Sequence, residues 1–203
     1  MTVPRQYTLA IEQPHEQRLD NFVPGPNTEL LDLLREPCSH FRGCWIYGEL
    51  GSGRSHLLRG ACLFAQGQGL PVSYIGCEDF KGVSQDLIDA LDMAGRRGVL
   101  VAIDDIDLLV GERELETLVL GIYQRLLGEG GTLLISHYRS AHALEFVTQD
   151  LASRMRSLQH FQIRPLADAD KIQLLRMRAQ ERGYDLAPAV LDYWLTRGPR
   201  GLG

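Results

Sequence analysis

Apolar residues fall along this chain in two alternating rhythms. CWIY (44–47), VSYIG (72–76), VLVAI (99–103), TLLIS (132–136) and HFQIR (160–164) are short runs rich in β-branched and aromatic residues, each of strand length. Between them, RSHLLRGACLFAQ (54–66), SQDLIDALDMA (84–94) and ELETLVLGIYQRLL (114–127) carry apolar positions at helical spacing, and residues 141–153 predict another helix. Ser84 stands where a helix cap belongs. VLVAI has no polar face, as expected at the centre of a parallel sheet covered on both sides. Strands alternating with helices predict an α/β fold, a parallel sheet flanked by helices.

The two ends read differently. Residues 1–21 are polar and proline-punctuated and predict an extended arm containing one short alternating patch, QYTLAI. The turn signal PGPN (24–27) follows, and Asn27 or Thr28 is placed to cap a helix with Leu30, Leu31, Leu33 and Leu34 on its apolar side; Pro37 ends it. After Pro165 the strands stop. DADKIQLLRMRAQERG (168–183) predicts an amphipathic helix ending at Gly183, and APAVLDYWLTRG (187–198) begins another. The chain thus divides into the arm, an α/β domain at 22–165, and the start of an all-helical piece at 166–203.

Composition narrows the classes. The chain has 203 residues, 44% hydrophobic and 23% charged, with net charge −5. That balance gives no general attraction to a phosphate backbone. No apolar run is long enough to cross a bilayer, and the N-terminus lacks a signal peptide's apolar stretch, so a cytoplasmic location is expected. Cys38, Cys44, Cys62 and Cys77 form no C-x-x-C pair. Cys38, His40 and Cys44 lack the second ligand pair of a zinc site, and reduced, buried thiols are the better reading.

The chemistry concentrates in GELGSGRS (48–55). Gly48, Gly51 and Gly53 fall between a strand and a helix, where glycine lets backbone N–H groups wrap a phosphate and the helix adds its positive end. Ser55 supplies a hydroxyl for Mg²⁺, while Arg54 occupies the position where the phosphate-loop pattern calls for lysine. VLVAIDDID ends a buried strand in Asp104 and Asp105, one to hold Mg²⁺ and the next to position an attacking water. Ser136, at the end of TLLIS, can watch a γ-phosphate from the neighbouring strand. In DLASRMR, Arg154 and Arg156 form either surface salt bridges or a finger reaching into another subunit's nucleotide.

Together these stretches resemble the DnaA branch of the AAA+ ATPases: QYTLAI, FVPGPN, GSGRSHLL, DLASR, PLADADK and LRMRAQERG all match. GSGRSHLL brings Ser52, Arg54 and His56 with it, and arginine in the phosphate loop is this branch's usual choice. The resemblance implies that Phe22 to Asn27 flank the nucleotide base, that Arg154 is an arginine finger, and that Arg200 begins a sensor helix in the lid. It implies a bound ADP or similar nucleoside diphosphate with Mg²⁺. QYTLAI is similar to a peptide that docks on the DNA polymerase III β sliding clamp, with Gln6 and the anchors Leu9 and Ile11 entering an apolar groove. The expected function is regulation of replication initiation: docking on the DNA-loaded clamp and stimulating hydrolysis of DnaA-bound ATP, with weak intrinsic ATPase activity and DNA reached mainly through the clamp. Homo-oligomer formation stays open. An initiator or helicase-loader ATPase of the same branch is the alternative, and a metabolic phosphate-loop kinase a distant third.

Overall fold

The computed structural model describes residues 17–36, 40–80, 82, 84–181, 183, 185–187, 189–191 and 193. Within them the chain runs α1 (Thr28–Arg35), β1 (Arg42–Tyr47), α2 (Arg54–Gly67), β2 (Val72–Gly76), α3 (Gln85–Arg97), β3 (Leu100–Asp104), α4 (Arg113–Glu129), β4 (Thr132–His137), α5 (Gln149–Ser157), β5 (Gln159–Gln162) and α6 (Asp168–Glu181). The five strands are parallel and ordered β2-β3-β4-β1-β5. β1 lies between β4 (Arg42 beside Thr132) and β5 (Cys44 beside Gln159). The phosphate loop and the Asp104–Asp105 pair therefore leave the same edge of the sheet, at the C-terminal ends of strands.

The period-two alternation of each strand distributes its side chains between two layers. Cys44, Ile46, Ala102 and Leu134 face α1 and α2, where Leu30, Leu31, Leu34, Leu57, Leu58 and Ala61 meet them. Trp45, Val101, Ile103, Leu133 and Ile135 face the other way, against Leu87 and Leu91 of α3, Leu115, Val119 and Ile122 of α4, and Met155 of α5. Burial of each such large apolar side chain contributes about 1.5–3 kcal/mol. That outweighs the roughly 1 kcal/mol by which Gly60 disfavours α2 relative to alanine. Gly60 has its own reason: a Cβ there would sit 2.9 Å from the backbone nitrogen of Leu19, so glycine lets the entering chain lie on the helix.

Four features differ from the expectation. The helix anticipated over 141–153 is a short 3₁₀ turn, Ala141–Ala143, followed by an extended link and then α5. The link is fixed by Glu116 of α4, whose buried carboxylate accepts the N–H groups of Gly111 (2.9 Å), Val147 (3.0 Å) and Thr148 (2.6 Å). The last strand ends at Gln162 rather than 164, although Ile163 still donates to Tyr47 O at 2.7 Å. Asn27 precedes α1 without capping it; its amide donates to Arg164 O (3.0 Å) and accepts from Arg164 N (2.7 Å) instead. Residues 17–21, assigned to the arm, pack on α2, with Leu19 buried. Ser84 caps α3 as anticipated, accepting from Leu87 N at 3.3 Å. Residues 189–191 and 193 are helical, and among the described residues no helix is long and apolar enough to cross a membrane. Gln6, Leu9, Ile11, Cys38 and Arg200 lie outside the described residues.

Candidate functional site

Between the phosphate loop, the Phe22–Asn27 segment, the stretch after β5 and α6 lies a cleft of about 530 Å³. Gly48, Gly51, Ser52, Gly53 and His56 line one wall, Phe22 and Asn27 another, and Lys171 and Arg178 of α6 face them. Gly51 and Gly53 adopt φ +75° and +96°, the left-handed region in which an L side chain is strained. At Gly53 a Cβ would also come within 2.9 Å of the Phe22 ring. The loop therefore curls tightly into the N-terminus of α2, and Phe22 can lie directly on it. Ser52 Oγ is buried with no hydrogen-bond partner, a donor held in reserve at a helix N-terminus. An unsatisfied hydroxyl, a glycine cradle and a helix N-terminus form a set of donors that suits a phosphate.

His56 does not point its ring at open space. Its Nε2 is 2.8 Å from Arg18 O and 3.0 Å from Asn21 Oδ1, and its ring meets Phe22 edge-on at 5.3 Å. Burial lowers its pKa, opposed by the Arg18 carbonyl. His56 thus clamps the Arg18–Phe22 segment to the phosphate loop. Asn27 ties that segment to the backbone after β5, so one continuous wall connects the loop to the root of α6.

Behind the loop is a buried polar chain. Asp104, 2% exposed, accepts the Tyr74 hydroxyl at Oδ2 (2.6 Å) and the Ser136 hydroxyl at Oδ1. Arg59 Nε donates to Tyr74 Oη at 2.9 Å. Ser136, fully buried, also accepts the Asp105 N–H at 2.9 Å. Asp105 has φ +52°, the only positive φ outside glycine among the described residues. Burial raises its carboxyl above the ordinary range against the pull of Arg54, with Asp104 adding repulsion. Arg54 is itself buried: Nη1 donates to Gly48 O at 2.8 Å, and Nη2 lies 3.1 Å from Asp105 Oδ1 and 3.4 Å from Oδ2. The next residue after Ser136, His137, is also fully buried and pairs with Asp107 at 2.7 Å.

The expected metal ligands were Ser55 and Asp104. Among the described residues no three His, Cys, Asp or Glu side chains are gathered to hold a metal. Burial pushes the nearby thiols of Cys62 and Cys77 up to about 12, so both behave as inert core groups. Arg154 is exposed on α5, makes no ion pair among the described residues, and lies 5.8 Å over the ring of Tyr123. Arg156, also exposed, donates weakly to Leu144 O at 3.4 Å.

Tyr74, Arg59, Glu116, Lys171 and Arg178 were not singled out from the sequence. For Tyr74 a signal existed, since a hydroxyl in the middle of VSYIG beside an acidic neighbour strand needs a partner. The others depend on packing between elements distant in sequence.

A glycine loop between β1 and α2, an acidic pair ending β3, and a parallel sheet in this order define a phosphate-loop α/β domain of the AAA+ kind. More narrowly, the chain belongs to the bacterial DnaA ATPase domain family, whose model matches residues 14–159. Its fold is that of a DNA replication initiation factor (TM-score 0.77, 22% identity, covering 90% of this chain and 60% of that one). It is similar also to domain III of the Thermotoga maritima replication initiation protein DnaA (0.76, 22% identity, 89% and 80% covered). AMPPCP-bound DnaA from Aquifex aeolicus gives 0.74 at 22% identity, with 90% and 60% covered. This chain spans 60% of the length of the first and third of these proteins.

Proposed function

We propose that this chain is a nucleotide-bound regulator of replication initiation of the Hda type. In this reading the cleft holds ADP, with Phe22 and Asn27 beside the base, the loop Gly48–His56 around the phosphates, and Arg200 closing from the lid. Ser55 and Asp104 are the residues that would hold Mg²⁺. Bound Mg²⁺ supplies charge neutralisation at the phosphates. Ser136 orients Asp104 and Asp105, and Asp105 is the group able to orient water. Residues 6–11 dock on the DNA polymerase III β sliding clamp, and Arg154 reaches ATP held by DnaA. The similarity to AMPPCP-bound DnaA supports the nucleotide assignment.

The observation that carries this reading is Arg154. An exposed guanidinium with no carboxylate partner among the described residues, seated on an aromatic face, is available to a second molecule's nucleotide. Arginine fingers contribute ~10³-fold or more to phosphoryl transfer. The test is clamp pull-down together with DnaA-dependent ATP hydrolysis, with and without this chain. Clamp capture and faster loss of DnaA-bound ATP are expected. If the chain leaves DnaA-bound ATP intact and hydrolyses ATP steadily by itself, the initiator or loader reading takes its place.

A further inference from the structure

The cation of the phosphate loop is turned the wrong way for a phosphate. Arg54 opens α2, where a long side chain can follow the loop towards the cleft, yet it does not line that cleft. It is folded inward, with its side chain 7% exposed, onto Gly48 O and Asp105. Asp105 is an awkward partner. It stands in the left-handed region, its N–H is pinned by Ser136, and Oδ1, though 3.1 Å from the guanidinium, receives no aligned hydrogen bond. A non-glycine residue in the left-handed region and a carboxylate oxygen buried without an aligned hydrogen bond are retained where the surroundings over-determine them, and such features cluster at sites that switch.

We propose that Arg54 is a two-position group for which Asp105 and a nucleotide phosphate compete, so that Arg54 must leave Asp105 before it can pair with a phosphate. This rests on the cleft being the nucleotide site. Nη1 is committed to Gly48 O and Nη2 to Asp105, and Arg54 does not line the cleft, so the guanidinium reaches a phosphate there only by giving up its contact with Asp105. Asp105 is 28% exposed on its side chain and Arg54 7%, so water replaces neither partner fully and the pair is exchanged rather than dissolved. Two consequences follow. Nucleotide affinity is lowered by the fraction of molecules in which Arg54 is engaged with Asp105. Asp105 is freed to orient water only when Arg54 has moved, which couples the loop on β1 to the carboxylate on β3.

The test is calorimetric titration of ADP with Mg²⁺ into four full-length chains: wild type, Asp105→Asn, Arg54→Met and the double variant, each checked for fold by circular dichroism. Asparagine tolerates the left-handed backbone, so Asp105→Asn removes charge and keeps shape. Losing that charge helps any anion, and the Arg54→Met background measures this general gain. Competition predicts that Asp105→Asn tightens ADP at least about fivefold more in the chain with Arg54 than in the chain without it. Equal gains in both backgrounds, or no gain with Arg54 present, overturn the proposal and leave the nucleotide site standing. Absence of ADP binding in all four chains removes the nucleotide site and this inference with it. If Arg54→Met does not fold, Arg54→Gln serves as the neutral background.

Discussion

Removing the Glu116 carboxylate should destabilise the domain and misplace α5. Glu116 is 1% exposed and accepts three backbone N–H groups, from Gly111, Val147 and Thr148, the last being the residue that leads into α5. Deleting the acceptor leaves three amide donors to find other partners, each costing about 1–3 kcal/mol if it stays dry. Gly111 is exposed and Val147 is 41% exposed, so water reaches part of the site and the lower end applies. Glu116→Ala should therefore cost about 3 kcal/mol. For a domain of this size that lowers Tm by roughly 6–12 °C. Glu116→Gln keeps one carbonyl oxygen for Gly111 and Val147 but sets an NH₂ against the Thr148 N–H, and should lose about half as much. The measurement is chemical and thermal denaturation of both variants beside the parent. A loss under about 1 kcal/mol for Glu116→Ala means that the three amides are satisfied elsewhere and that Glu116 does not hold the link.

Further outcomes concern the site and the arm. Arg154→Ala should keep Tm and ADP affinity yet fail to stimulate loss of DnaA-bound ATP in a filter-retention assay, with Arg156→Ala as the control; the reverse result assigns the finger to Arg156. Gly53→Ala adds a side chain at φ +96° against Phe22; a backbone strain of about 1–2 kcal/mol at the loop should weaken ADP roughly tenfold by calorimetry. Gln6→Ala with Leu9→Ala should abolish clamp capture in a pull-down and leave ADP affinity unchanged. Cys44, Cys62 and Cys77 should resist iodoacetamide at pH 8 in the native protein and label after unfolding, as read by peptide mass mapping. Burial pushes the thiols of Cys62 and Cys77 up to about 12, and Cys44 is fully buried; rapid native labelling would contradict this.

The strands were legible because buried parallel strands have little to disguise them: VLVAI and TLLIS place β3 and β4 to within a residue. The glycine loop and the acidic pair were legible for the same reason, since backbone curvature and charge at a strand end restrict the residue types. The helix expected over 141–153 failed because its apolar spacing is helical while Glu116, far earlier in the chain, draws the amides of Val147 and Thr148 away from a helical ladder. Asn27 has the composition of a cap, and only the tertiary fold brings Arg164 within reach of its amide. The Arg54–Asp105 pair was hidden more deeply. The sequence gives both residue types but not the rotamer, and the two stand 51 positions apart until the sheet is assembled.

The strand order also sets a timetable for making the protein. Among the described residues β1 is the first strand to be synthesised, but its two neighbours in the sheet are β4 and β5, the last two. A growing chain can pair β2 with β3 early, while β1 must wait for Thr132 and then Gln159 to emerge. Such long-range parallel pairings are slow to form and leave strand edges open meanwhile. The glycine loop hangs from the end of β1, so the cleft beside it is among the last parts of the domain to be finished.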